Sequence, residues 1–407
     1  MCVCVHIGVG FGVACSDTEA IPEPVKRNSN SAVPLFLCAY TMNDIAIYMK
    51  ERIPYIYFAA GIMILWMIIY HAICVAWNFD LQGVWDITDF SLLPEGVKAI
   101  INREGKLEHL NPCVFFPYLH FFMPWFFYKS GQFFEKQNVK DLWKKDWNKL
   151  IKNFVIWSLV GYVFYLLFGL LNHSITLRSA TYSIIRGLFL EGNIPVNEPL
   201  WFLLTLFIVR LIANLVLPTL KEQYCWLRIA VIILVGYVIS YLAYYFNFRL
   251  LPDWVANSAA GLSFFALGYA LKEYEKRLYL IIPCLVIYVT CCCYGFSMVD
   301  MIFNKLLSGY YMLWLPTAFC SIIVFNSLCK IIYKYFGNIR LIESIGQHAM
   351  PIYVTHYLFG AIVCFVVTYF KLKISSQHLI FLILACYIIF LPLICKYRSV
   401  LKKYFDI

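Results

Sequence analysis

The chain has 407 residues, of which 62% are hydrophobic and 14% are charged, against roughly 45–50% and about 25% in soluble domains. A mean hydropathy of +0.72 over this length excludes a soluble globular protein, because too little polar surface remains to cover it. The many aromatic residues exclude a disordered chain. The net charge of +10 lies in short clusters between apolar blocks, which argues against nucleic-acid binding.

The first residues of the chain differ from the rest. Residues 1–14 are mildly apolar but lack the basic region of a secretory signal, and Cys15 ends only a faint lipoprotein-like motif. The polar, proline-containing stretch that follows is typical of a disordered tail. We expect 1–48 to be a disordered or mis-called extension, with Met42 or Met49 as an alternative start, and 49–407 to form one membrane domain.

Ten apolar segments are long enough to cross a membrane as helices, since about 20 residues span the hydrocarbon core. The runs are continuous and do not alternate with polar residues, so transmembrane strands are not expected. The sequence therefore predicts an all-α polytopic membrane bundle. The predicted spans are 53–77, 112–134, 151–171, 199–217, 226–246, 254–272, 278–296, 307–329, 350–370 and 378–395.

Basic residues predict the orientation of this bundle. The connection 135–152 is rich in lysine, and more cations stand in 273–277 and after 395, whereas the long connection 78–111 is mostly acidic. By the positive-inside rule, both termini are expected in the cytoplasm, with the bundle in the inner membrane.

The sixteen cysteines do not indicate a metal or disulfide site. Most stand singly in apolar runs, and Cys2 and Cys4 have no partner pair at zinc-site spacing. We expect the cysteines to be buried small apolar residues, and we expect no bound metal or cofactor.

Three motifs stand in order along the chain. Residues 121–131 read FFMPWFFYKSG, an aromatic run that ends in Ser-Gly; residues 199–203 read PLWFL; and residues 352–356 read IYVTH. With ten spans and a basic connection after the second, the chain resembles the membrane acyltransferase-3 family, the bacterial O-acyltransferases that modify surface glycans. The likeness covers roughly residues 50–400.

The resemblance implies a functional histidine in the first span, where His71 stands. Two positions depart from the family pattern. The family has Arg or Lys eleven residues before this histidine, where this chain has Ala60. The family's Arg-x-x-Arg after the second span begins here with Asp146, so that only the second cation, Lys149, is kept. A diverged or inactive member is therefore an alternative.

Two histidines are the candidate catalytic residues. His71 lies about 27 Å along the first span from its cytoplasmic end, near the outer face. An imidazole there can take a proton from a sugar hydroxyl, as acyl transfer requires. His120 lies roughly 12 Å into the second span from the outer side and is expected to assist. The alternative roles are an interfacial anchor for His71 and a bond to a neighbouring carbonyl for His120.

Three cations are the candidate residues for binding acyl-CoA. Lys129 and Arg210 fall in the inner halves of two spans, and Lys149 lies in the basic connection. They are expected to bind the phosphates of acyl-CoA that enters from the cytoplasm. Alternatively, Lys129 and Arg210 reach the lipid headgroups and have no further role.

Other polar residues are expected to be structural. Ser130 lacks the G-x-S-x-G pattern of a serine nucleophile and is interpreted as a packing or bending element. Trp201 and His356 are interpreted as helix-packing residues, with His356 about 10 Å from the inner face. Asp253 and Asp300 are expected to be solvated.

The predicted function is transfer of an acyl group, with acetyl expected, from cytoplasmic acyl-CoA to a hydroxyl of a glycan or lipid-linked sugar. One alternative is a transporter or flippase of lipid-linked sugars, although no internal repeat is visible. Another is a non-catalytic member that binds glycan.

Overall fold

The computed structural model describes most of the apolar part of the chain. The predicted N-terminal extension, the 78–111 connection and the C-terminal tail lie for the most part outside the described residues. The described residues are 42–78, 116–171, 177–192, 196–246, 252–272, 278–337, 339–372, 374 and 376–396.

The structure is an α-helical bundle, which confirms the predicted fold class; 83% of it is helical. A π turn, Trp147–Ile151, joins the helix Val139–Asp146 to the helix Lys152–Leu171 without a break. The helices are α1 Met42–Asn78, α2 Phe122–Gln132, α3 Val139–Asp146, α4 Lys152–Leu171, α5 Leu177–Arg186, α6 Trp201–Val216, α7 Cys225–Tyr245, α8 Asp253–Ala270, α9 Leu278–Tyr294, α10 Tyr311–Phe336, α11 Arg340–Gln347, α12 Ala349–Tyr369 and α13 Ser376–Lys396.

One small β-hairpin joins α9 to α10. Its strands are β1 Met298–Asp300 and β2 Lys305–Ser308, which pair antiparallel. The side-chain amide of Asn257 on α8 donates to the Ile302 carbonyl at the hairpin tip. The hairpin is therefore fastened to the end of the bundle.

Seven helices of the described residues are long and apolar enough to cross a membrane. The predicted count of ten is not confirmed. Of the remaining predicted spans, α2 has 11 residues, α8 carries Asn257, Ser258 and Ser263 among its buried residues, and α9 is a shorter apolar helix. The integral-membrane character follows from the seven apolar helices, whereas the orientation stays a prediction.

Two glycines allow one helix pair, α2 and α8, to approach closely. A Cβ on Gly131 of α2 would overlap the Phe265 carbonyl of α8, and a Cβ on Gly268 of α8 would overlap the Tyr128 carbonyl of α2. Small residues at such crossings let backbones touch, as is common in membrane bundles. Ser130 is buried beside this crossing, a position consistent with its predicted packing role.

Several described cysteines are buried, as expected, but Cys292 and Cys293 are exposed on α9. The exposed thiols belong to a helix with much exposed apolar surface. An apolar helix face that contacts lipid need not be covered by protein.

Candidate functional site

Two histidines from distant parts of the chain meet inside the bundle. The Nδ1 atom of His71 on α1 lies 2.8 Å from the Nε2 atom of His356 on α12, and the two ring centroids are 4.7 Å apart. His356 is 1% exposed, whereas His71 is partly exposed. His71 is therefore the more exposed member of the pair.

The Tyr353 carbonyl determines which ring nitrogens of this pair carry hydrogens. Nδ1 of His356 is 2.6 Å from the Tyr353 carbonyl oxygen, and it must donate because a carbonyl only accepts. In the neutral ring, Nε2 of His356 then accepts the Nδ1 hydrogen of His71. Nε2 of His71 consequently holds its lone pair for a proton.

Two of the sequence motifs combine to position His356. The Tyr353 hydroxyl donates to the Pro199 carbonyl, and the Tyr353 ring lies 5.8 Å from the Phe202 ring. The 199–203 motif therefore packs directly on the 352–356 motif. Together they form a chain of hydrogen bonds that ends at the histidine pair.

The predicted depth and packing role of His356 did not anticipate its contact with His71. The 10 Å estimate assumed that the helix carrying His356 begins at the inner face. Instead, α11 packs along α1 so tightly that a Cβ on Gly346 would overlap the Tyr57 carbonyl. The next helix, α12, therefore starts near the level of Tyr57, inside the predicted span 53–77, and not level with the first residue of that span. This shift, with the length of two imidazole side chains, brings His356 to His71.

His120 lies in a different environment. Its Nδ1 atom is 2.7 Å from the Pro117 carbonyl oxygen, as the structural alternative expected, and its ring is 4.8 Å from the Phe296 ring just before the hairpin. It is 5% exposed. The ring contacts of His71 are instead with Tyr70, His356 and Tyr357.

Lys129 is buried, with 1% of the residue exposed. Its ammonium donates to the Gln132 side-chain carbonyl over 2.8 Å. Buried ammonium groups require compensating contacts, which aromatic faces can supply. Ring centroids 5.8–5.9 Å from Nζ belong to Tyr55, Trp125 and Tyr128.

Arg210 is paired with the residue that departs from the family pattern. Its Nε atom donates to Asp146 Oδ2 over 2.7 Å, and the side chains are 14% and 4% exposed. The guanidinium also lies 5.5 Å from the Phe134 ring centroid. Lys149 follows one turn after Asp146 within the π turn and is partly exposed. Arg210 and Lys149 therefore lie near the same helix junction, whereas Lys129 belongs to a separate aromatic cluster.

The remaining predicted residues lie outside the histidine pair. Trp201 is buried at the start of α6, and Asp300 caps the hairpin tip through the Ile302 amide. Asp253 begins α8. In the described parts of the chain, no three His, Cys, Asp or Glu side chains are grouped as they would be around a metal ion.

The described residues thus form a polytopic helical bundle in which a histidine pair joins α1 to α12. The sequence model of the acyltransferase-3 family, described as an acyltransferase domain, matches residues 61–397. The chain belongs to this family, which indicates membrane acyltransferase activity. No curated protein and no solved structure matches the chain significantly.

Sequence reasoning identified His71 but missed His356 as its partner. The motif IYVTH contained the signal, because residues three apart face the same side of a helix turn. That spacing lets Nδ1 of His356 reach the Tyr353 carbonyl. Nothing local indicates which distant side chain the other nitrogen meets.

Proposed function

We propose that this protein transfers an acyl group, acetyl in the simplest case, from cytoplasmic acyl-CoA to a hydroxyl of a cell-surface glycan or lipid-linked sugar. The observation that carries the proposal is the His71–His356 pair, which leaves a proton-accepting nitrogen on the accessible ring. General bases of this type are within hydrogen-bond reach of the group they deprotonate.

In the proposed reaction, Nε2 of His71 takes the proton of the acceptor hydroxyl. The hydroxyl oxygen bonds to the thioester carbonyl carbon, and the carbon–sulfur bond breaks. The departing thiolate then receives the proton from His71 and leaves as free CoA. His356 accepts the Nδ1 hydrogen throughout, so it stabilises the imidazolium form of His71 and fixes its orientation, as the third member of a catalytic triad does.

The donor phosphates are proposed to bind at Arg210 and Lys149. Asp146 engages only Nε of Arg210, which leaves the terminal guanidinium nitrogens for bidentate contacts of the kind phosphates favour. Lys129 is proposed as a second contact deeper in the bundle. Both termini would then be cytoplasmic, and a path through the bundle would join the donor to His71.

His120 is proposed to assist from the acceptor side, because its ring lies beside the hairpin and apart from the proposed donor cations. This arrangement gives the two histidines different tasks. His71 handles the proton, whereas His120 orients the acceptor.

The test is release of free CoA by the protein in nanodiscs with acetyl-CoA and a glycan acceptor. We expect release that depends on the acceptor and is lost in His71→Gln. His348→Gln is the matched control, since His348 is likewise partly exposed and its Nδ1 bonds a helix carbonyl, that of Ser344, over 2.6 Å. Wild-type release by His71→Gln would contradict the mechanism.

The same assay separates the alternatives. A transporter of lipid-linked sugars moves its substrate without releasing CoA. A glycan-binding member that lacks catalysis stays silent even when cations are introduced by Ala60→Arg and Asp146→Arg. The histidine pair favours the enzyme, because neither alternative requires an accessible base.

A further inference from the structure

Two buried polar side-chain atoms linked by a series of aromatic contacts have no hydrogen-bond partner in the described part of the chain. One is Nε2 of His120, and the other is Nε1 of Trp66 on α1. Because Nδ1 of His120 donates to the Pro117 carbonyl, its Nε2 is an acceptor in the neutral ring. Trp66 Nε1 is a donor only. Buried polar atoms normally form hydrogen bonds, so this acceptor and this donor are candidates for hydrogen bonds to a ligand or to water.

Aromatic rings connect these two atoms. The Phe116 ring lies 5.1 Å from Trp66 and 5.4 Å from Tyr118. Tyr118 in turn lies 6.1 Å from Phe296, which packs on His120. Phe116 is 43% exposed and Tyr118 is 44% exposed. The result is an open aromatic wall with an unsatisfied donor at one end and an unsatisfied acceptor at the other.

The wall also leads to the proposed catalytic base. The Trp66 ring is 6.5 Å from Tyr70, and the Tyr70 ring is 4.9 Å from His71. A molecule lying on Phe116 and Tyr118 is therefore adjacent to the part of α1 that carries His71.

We propose that Phe116, Tyr118, His120 and Trp66 form the acceptor-binding subsite, which takes the pyranose ring of an uncharged sugar; this rests on the proposed function. Because the Phe116 and Tyr118 rings stand at 76° to each other, the apolar face of the sugar lies on one ring and its edge contacts the other. One sugar hydroxyl donates to His120 Nε2, and a sugar oxygen accepts from Trp66 Nε1. A lipid chain covers the rings equally well but satisfies neither polar atom, and for that reason the wall favours a sugar.

The experiment measures sugar binding without any acyl donor. Methyl glycosides of glucose, galactose, mannose and N-acetylglucosamine are titrated by calorimetry into the protein in nanodiscs. At least one is expected to bind. Tyr118→Leu and Phe116→Leu should each weaken it about two- to tenfold, since a stacked aromatic contact adds roughly 0.5–1.5 kcal/mol beyond its area. Trp66→Phe and His120→Leu, which remove the donor and the acceptor, should weaken it about three- to tenfold.

The matched control is Tyr294→Leu, which removes an aromatic residue that is 89% exposed at the end of α9 and lies outside the wall. It should bind the sugar as the wild type does. Equal losses in Tyr294→Leu and Tyr118→Leu, or no binding of any glycoside by the wild type, would overturn the subsite. A second arm uses the preferred sugar on a polyprenyl diphosphate, and tighter binding there identifies the lipid-linked form as the acceptor.

The outcomes also separate this subsite from the proposed function. Sugar binding with the expected variant pattern, but without CoA release, supports the subsite and contradicts acyl transfer. Acyl transfer that is unchanged in Phe116→Leu and Tyr118→Leu supports the enzyme and contradicts the subsite.

Discussion

The Nδ1 atom of His71 lies 2.8 Å from Nε2 of His356, although the two residues are 285 positions apart in sequence. The contact joins α1 to α12. In the proposed reaction His71 takes the proton and His356 orients the His71 ring, so substitutions can test the two roles separately.

His71→Gln should lower acyl transfer by about 10²–10⁴-fold, the range for a general base, with normal protein abundance. His356→Gln should have a smaller effect, because the base remains but loses its orientation and the partner of its imidazolium form. Initial rates of CoA release, normalised to folded protein, measure both. If the two variants match the control His348→Gln, neither histidine takes part in the reaction.

Tyr353→Phe should slow transfer while leaving the donor KM unchanged. The variant leaves the buried Pro199 carbonyl without its donor, which typically costs about 1–3 kcal/mol, and loosens the segment that holds His356. Tyr237→Phe is the control, since the Tyr237 hydroxyl also donates to a buried carbonyl, that of Tyr311, remote from the pair. Both variants should lose stability in thermal unfolding, but only Tyr353→Phe should lose activity per folded molecule.

Lys149→Ala and Arg210→Ala should raise the KM for acyl-CoA about ten- to a hundredfold, since charge-assisted contacts are worth roughly 1.5–3 kcal/mol. Because Arg210→Ala also leaves Asp146 unpaired, the double variant Asp146→Asn with Arg210→Gln serves as its control. The KM is measured from initial rates at increasing acyl-CoA concentrations, at several ionic strengths. A wild-type KM in both single variants would place the donor elsewhere.

Gly131→Ala should destabilise the bundle, because the new methyl group overlaps the Phe265 carbonyl. Overpacking of this kind costs typically about 1–3 kcal/mol. Gly360→Ala is the matched helical control, since its Cβ would meet Val75 only at an ordinary 3.5 Å. Thermal unfolding in nanodiscs should separate the two, and equal stability of both variants would contradict the close α2–α8 crossing.

The predicted orientation places the C-terminus in the cytoplasm. A reporter fused after Ile407 should read cytoplasmic, and one inserted in the 78–111 connection should read external, because the cations cluster on the other side. An external reading at Ile407 would contradict the predicted orientation.

The sequence alone predicted the fold class and the family. Both depend on local features: long apolar runs must become helices in a membrane because each backbone polar group needs a partner within its own segment. The motifs around Gly131, Trp201 and His356 are likewise short and continuous. His71 was a candidate because the resemblance places a functional histidine there, and because ionisable residues within membrane spans are often functional.

Only the tertiary structure decided which residues meet. The depth of His356 depends on how α11 packs against α1, and the pairing of Arg210 with Asp146 joins helices 64 residues apart. The predicted span 112–134 also differs, because a 3-10 turn at Pro117–Leu119 precedes α2 and leaves it only 11 residues, a break that hydropathy does not register. Apolar periodicity determines that a segment enters the membrane. Side-chain contacts between segments determine the site, because they depend on packing between helices that no single segment encodes.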